Sequence, residues 1–99
     1  MIDLKNITGF KWDAGNTRKN EKHGVSMAEA EQIFFNAPLV LLEDAAHSQG
    51  EPLLQALGKT DEARVLHITF TLRQSGQLIR VISARDMHRK ERTIYDQAN

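Results

Sequence analysis

Between Arg64 and Leu72 the chain alternates so regularly that little besides a sheet accommodates it. Leu66, Ile68, Phe70 and Leu72 take one side, and Val65, His67, Thr69 and Thr71 the other. That period of two predicts a strand with one covered and one open face. Arg73-Gln74-Ser75-Gly76 turns the chain back into a second strand, Leu78 to Arg85. With a loop of that length Phe70 pairs with Ile79 and Ile68 with Val81 on the covered face, leaving Arg80 beside Thr69 and His67 on the open one. A slip of one residue would reverse the assignment.

The elements before this hairpin are marked by their ends. Phe10-Lys11-Trp12 is a short alternating segment, and Asp13 follows as the N-cap of a helix expected to run to about His23. Gly24 closes that helix with a left-handed residue, after Lys22 and His23, whose cationic side chains suit the negative end of the dipole. Ser26-Met27-Ala28-Glu29 is a capping box with Val25 and Ala30 as its hydrophobic staple. A second helix is therefore expected from about Met27 to Phe35, with Ala30, Ile33 and Phe34 facing inward. Asn36-Ala37-Pro38 stops it. Strands follow at Leu39 to Glu43 and Leu53 to Gly58, joined by a polar connection, and a charged turn at Lys59 to Glu62 leads into the hairpin. The order is a short N-terminal strand, two helices, a four-stranded mostly antiparallel sheet and a C-terminal helix. It predicts an α+β fold of a single domain over residues 1–99.

Several function classes are excluded by what the chain lacks. It has no cysteine, which removes thiol nucleophiles and sulfur-ligated metals and agrees with a reducing compartment. No apolar run approaches the ~18 residues of a membrane span, and Met1 to Phe10 lacks a signal-peptide core, so a cytoplasmic protein is expected. The four histidines show none of the spacings of a metal site. Glycine-rich phosphate loops and GxSxG turns are likewise missing, so neither a nucleotide cofactor nor acyl transfer has support.

The charge has a different message. Thirteen Lys and Arg balance thirteen Asp and Glu, yet Arg80, Arg85, Arg89, Lys90 and Arg92 fall within thirteen consecutive positions. A cationic block on a neutral chain points to a polyanionic partner, either phosphate or an acidic protein. Read as one helix, the stretch brings Arg85, Arg89 and Arg92 to one outward face opposite Met87 and Ile94. Guanidinium groups bind phosphate oxygens in bidentate fashion, although an exposed helix face is also ordinarily charged. His23, His47, His67 and His88 are the side chains suited to proton transfer near neutral pH, and a strand histidine such as His67 is more often structural. Chemistry that needs only cations and a proton carrier includes RNA cleavage, because the 2′-hydroxyl of the substrate is itself the nucleophile.

One resemblance covers nearly the whole chain. Trp12-Asp13, Asn20, Lys22-His23-Gly24-Val25-Ser26, Ala30 and Phe34, then His47-Ser48, Gly58, Phe70-Thr71, Ile79-Arg80-Val81-Ile82-Ser83-Ala84-Arg85, Arg89, Glu91, Arg92 and Tyr95 resemble BrnT-type toxins. Members often carry a lysine where this chain has Asn16, and a charged segment where it has Pro52-Leu53-Leu54. The resemblance implies a RelE-like fold and a metal-independent endoribonuclease that inhibits translation, with a BrnA-type antitoxin as partner in a hetero-oligomer. It implies Lys22, His23, Arg80 and Arg85 as catalytic positions, and Arg64, Arg89, Arg92 and Tyr95 as RNA-binding ones. These groups are expected around one shared hollow. The rival expectation is a protein-binding module whose arginines only hold an acidic partner. DNA contact is expected through the antitoxin alone, since no helix-turn-helix is evident.

Overall fold

A computed structural model describes residues 6–13, 15, 23–43, 53–73 and 76–98. The helix expected from Asp13 to His23 lies largely outside the described residues. The strands are β1 (Gly9–Lys11), β2 (Val40–Glu43), β3 (Leu54–Lys59), β4 (Val65–Arg73) and β5 (Leu78–Asp86). Helix α1 (Met27–Gln32) continues into a 3₁₀ turn at Ile33–Phe35, and α2 (Arg89–Gln97) closes the described chain. The expected four-stranded sheet is corrected to a five-stranded mixed one, in the order β1-β5-β4-β3-β2. The short N-terminal strand joins as the parallel edge partner of β5, with Phe10 opposite Ile79 and Lys11 opposite Arg80. Three residues carry too little periodicity to announce such a pairing; what seats β1 is Phe10 packing on Phe34, ring centroids 5.7 Å apart.

Each face of the sheet is covered by one helix. On the first, Val25, Ala30 and Ile33 pack on Ala56, Leu66, Ile68, Phe70, Val81 and Ala84, all essentially without solvent exposure. Ser26 and Glu29 form the expected capping box: the Glu29 amide donates to Ser26 Oγ over 3.1 Å, and the Ser26 amide to Glu29 Oε1 over 3.0 Å. Ile33 comes so close to β3 that a Cβ at position 58 would lie 2.9 Å from its own Cβ, so only glycine fits there. On the second face, Met87 and Tyr95 cover Leu57, flanked by Val40, Leu42 and Val65. That cover is partial, and the remainder of the second face is the polar surface described next.

The hairpin register departs from the expected one in two ways. Its loop sits one residue later, so Leu72 faces Ile79, Phe70 faces Val81 and Arg80 faces Thr71. The total shift is two residues, which preserves the face of every side chain. Beyond it Ser83 faces Thr69 and Arg85 faces His67, leaving Ile82 as an unpaired bulge residue.

Candidate functional site

The bulge at Ile82 decides where the arginines of β5 go. Arg80 and Arg85 are five residues apart, an odd spacing that puts side chains on opposite faces of a regular strand. Their partners Thr71 and His67 are four apart on β4, so both arginines share the second face. Arg85, expected both as the end of the second hairpin strand and on the outward face of the closing helix, belongs to β5. The helix begins only at Arg89 because Glu91 Oε1 accepts the His88 amide over 2.8 Å and caps it there. Arg89 and Arg92 point into solvent as expected, and Met87 is buried at the joint. Ile94, expected inside, is exposed, and Tyr95 takes its place as the helix's buried residue.

Arg64, Arg80 and Arg85 are each compensated by acids. Arg80 Nη2 lies 2.9 Å from Asp13 Oδ2. The Asp13 segment is itself fixed to α1, since Trp12 Nε1 donates to Glu31 Oε2 over 2.7 Å. Arg85 grips Glu91 with both nitrogens, 2.8 and 2.9 Å, and donates to the Asp86 carbonyl over 3.0 Å. The bidentate Arg85 contact, with the His88 amide behind it, holds the Glu91 carboxyl down to about 2. Arg64 contacts Asp86 in bidentate fashion at 2.8 and 3.1 Å, and through Nη1 reaches Glu29 Oε2 at 3.0 Å and the Gly24 carbonyl at 2.8 Å. Hydrogen bonding to Asp86 and then to Glu29 raises the Arg64 pKa above its ordinary value, and Arg64 lowers that of Asp86.

His67 lies under this network with 5% of its surface exposed. Its Nε2 is 3.1 Å from Gln55 Oε1 and 3.7 Å from Glu91 Oε2, two oxygens that assign the ring proton to Nε2. Burial first, and Arg85 second, push its pKa down, so the ring is neutral at pH 7.

These positions redistribute the expected site. Lys22 lies outside the described residues, and His23 is exposed in the turn closed by Gly24, whose φ of +72° is the left-handed geometry expected there. That turn is held by Arg64 at the Asp86 end of β5. Arg80 stands six positions back along the strand, about 20 Å at ~3.3 Å per residue. Of the expected cluster, the Gly24 turn is thus tied to the Asp86 end of β5, while Arg80 lies toward the Leu78 end of the same strand. Arg92 does approach the Asp86 end, where its charge helps lower the Asp86 pKa. Tyr95, expected to touch RNA, is instead buried and donates its hydroxyl to the Pro38 carbonyl over 2.8 Å. The acids Asp13, Asp86 and Glu91 were missed as functional partners; only Glu29 carried a readable signal, its place in the capping box.

Elsewhere, Ile7, Thr8, Phe10, Phe34, Phe35 and Ile79 line a mainly apolar recess of about 320 Å³ beside β1. Among the described residues no three His, Asp or Glu side chains gather as a metal site, and no helix is long and apolar enough to cross a membrane.

This architecture can be compared with known proteins. The crystal structure of the Brucella abortus ribonuclease toxin BrnT is similar, with a TM-score of 0.55 and 19% identity over 83% of this chain and 99% of that one. At that identity the likeness concerns the fold. No curated protein matches the chain. The model of the family described as "Ribonuclease toxin, BrnT, of type II toxin-antitoxin system" matches residues 12–91. That stretch runs from the Trp12 segment to the acid that caps the closing helix, which is nearly the whole frame described above, and the chain therefore belongs to the BrnT family of ribonuclease toxins of type II toxin-antitoxin systems.

Proposed function

We propose that this protein cleaves RNA without a metal, inhibits translation by doing so in the cytoplasm, and is neutralised by a cognate BrnA-type antitoxin. The observation that carries the reading is the convergence of the His23 turn, Arg64, Arg85 and Arg92 at the Asp86 end of β5 in a member of a ribonuclease toxin family. In the proposed reaction the 2′-hydroxyl attacks the adjacent phosphorus. Its proton goes to a carrier, His23 or Lys22, as the new O–P bond forms. The P–O5′ bond breaks and the leaving oxygen takes up a proton, giving a 2′,3′-cyclic phosphate and a 5′-hydroxyl. Arg89 and Arg92 contact the RNA backbone on either side. Arg80 grips a different phosphate from the one beside His23, after displacing Asp13, and Arg85 stabilises charge from behind its pair with Glu91.

A second reading, a module that only binds an acidic antitoxin, is favoured by the internal pairing of Arg64, Arg80 and Arg85 with acids of the same chain. Pure protein incubated with cellular RNA in chelator separates the two. Cleavage that disappears in His23→Ala, in Lys22→Ala or in both supports the nuclease. Intact RNA, or cleavage that survives both substitutions, overturns it.

A further inference from the structure

Arg64 spends its hydrogen-bonding capacity inside the protein. A guanidinium has five N–H donors. Four of those in Arg64 are engaged: two on Asp86, one on Glu29 and one on the Gly24 carbonyl. The three acceptors belong to three different pieces of the fold, namely the end of β5, the first turn of α1 and the turn that carries His23. A side chain held this way cannot present its planar fork to a phosphate without abandoning a carboxylate. What it can do is fix the His23 turn to the sheet. The neighbouring geometry supports this. Gly24 takes a left-handed backbone, and a Cβ there would stand only 3.9 Å from Arg64 Nη2. Glu29 is oriented for Arg64 by its own capping hydrogen bonds to the Ser26 amide and hydroxyl, 3.0 and 3.1 Å.

We infer that Arg64 is not an RNA contact but a positioning residue, clamping the Gly24 turn so that His23 is held at the Asp86 end of β5. The inference rests on the proposed nuclease reading for its effect on rate, and on the contacts alone for its effect on the turn. Misplacing a catalytic group by about 1 Å can lower a rate on the order of 10²-fold.

Two variants test it. Arg64→Lys keeps the charge but loses the fork, so positioning expects kcat to fall by between about 10- and 100-fold with KM unchanged. A direct phosphate contact expects activity largely kept and any loss to fall on KM. Asp86→Asn removes half the clamp: positioning again expects a loss of kcat, whereas an RNA-contacting Arg64, freed from its acid, would bind RNA more tightly. Amide exchange at Gly24 and Val25 supplies a readout independent of cleavage. It should speed up by about tenfold or more in Arg64→Lys while the amides of α2 keep their protection. If neither variant changes exchange at the turn, the clamp is overturned whatever the activity. If wild-type protein leaves RNA intact but exchange at the turn rises in the variants, the clamp stands and the nuclease reading falls.

Discussion

His67 occupies a strand position that alternation assigns to the open face, and its backbone does face that way, opposite Arg85. Its burial was not legible, because α2 folds back over that face through contacts made some twenty to thirty residues later in the chain. The consequence is a measurable pH dependence. The folded-state pKa of His67 is depressed below 6.5 by burial, then by Arg85, with His88 adding to the effect and Glu91 opposing it. A depressed pKa means the unfolded chain binds the extra proton first, so the contribution to stability is complete above about 6.5 and is lost as pH falls through the folded value. Glu91, lowered to about 2 mainly by Arg85, adds a second loss in the same direction between about 4.5 and 2. Replacing His67 by Leu should therefore flatten the urea midpoint just below about pH 6.5 while leaving the deeper acid transition in place. A His67→Leu profile that still declines across that upper window would show that another group is responsible.

Among the elements, the α1 start was readable because both halves of its capping box are local: Ser26 and Glu29 need only each other. An α-helix of six residues is far too short to stand alone, so its cap and its packing on β3 and β4 carry it. Ser26→Ala should lower stability by about 1 kcal/mol, read from the denaturant midpoint at unchanged m-value. A shift near zero would mean that Val25 and Ile33 anchor the segment unaided. The boundary between β5 and α2 was not readable in the same way. Arg85 to Arg89 fits an amphipathic helix, with Met87 opposite the arginines, as well as it fits a strand, and the choice is made by ladder pairing of Arg85 with His67 and Asp86 with Leu66. Pairing partners distant in sequence leave no trace in a local window. The bulge at Ile82 is the extreme case: Val81-Ile82-Ser83 reads as ordinary strand, yet its one extra residue sets the face of Arg85.

At the scale of the whole molecule, a chain with no net charge still separates its charges. Arg64, Arg80 and Arg85 are neutralised within the fold, while Arg89 and Arg92 stand exposed on α2. RNA binding should therefore weaken steeply with salt. Each single-strand phosphate contact contributes a slope of about 0.7 in log K against log salt, so replacing both Arg89 and Arg92 by Ala should reduce the slope by about 1.4. An unchanged slope would place the backbone contacts elsewhere on the surface. The sequence by itself determined the α+β class, the start of α1, the left-handed Gly24, the alternation of β4 and the basic character of the closing segment. Each of these depends on residues within a few positions of one another, or on composition. Only the tertiary structure decided that β1 adds a parallel fifth strand, that Arg64 ties the Gly24 turn to the Asp86 end of β5, that Tyr95 belongs to the core, and which acids hold Arg64, Arg80 and Arg85. Those outcomes depend on long-range register and on side chains meeting across the sheet, where a single inserted residue or a neighbouring carboxylate outweighs any local preference.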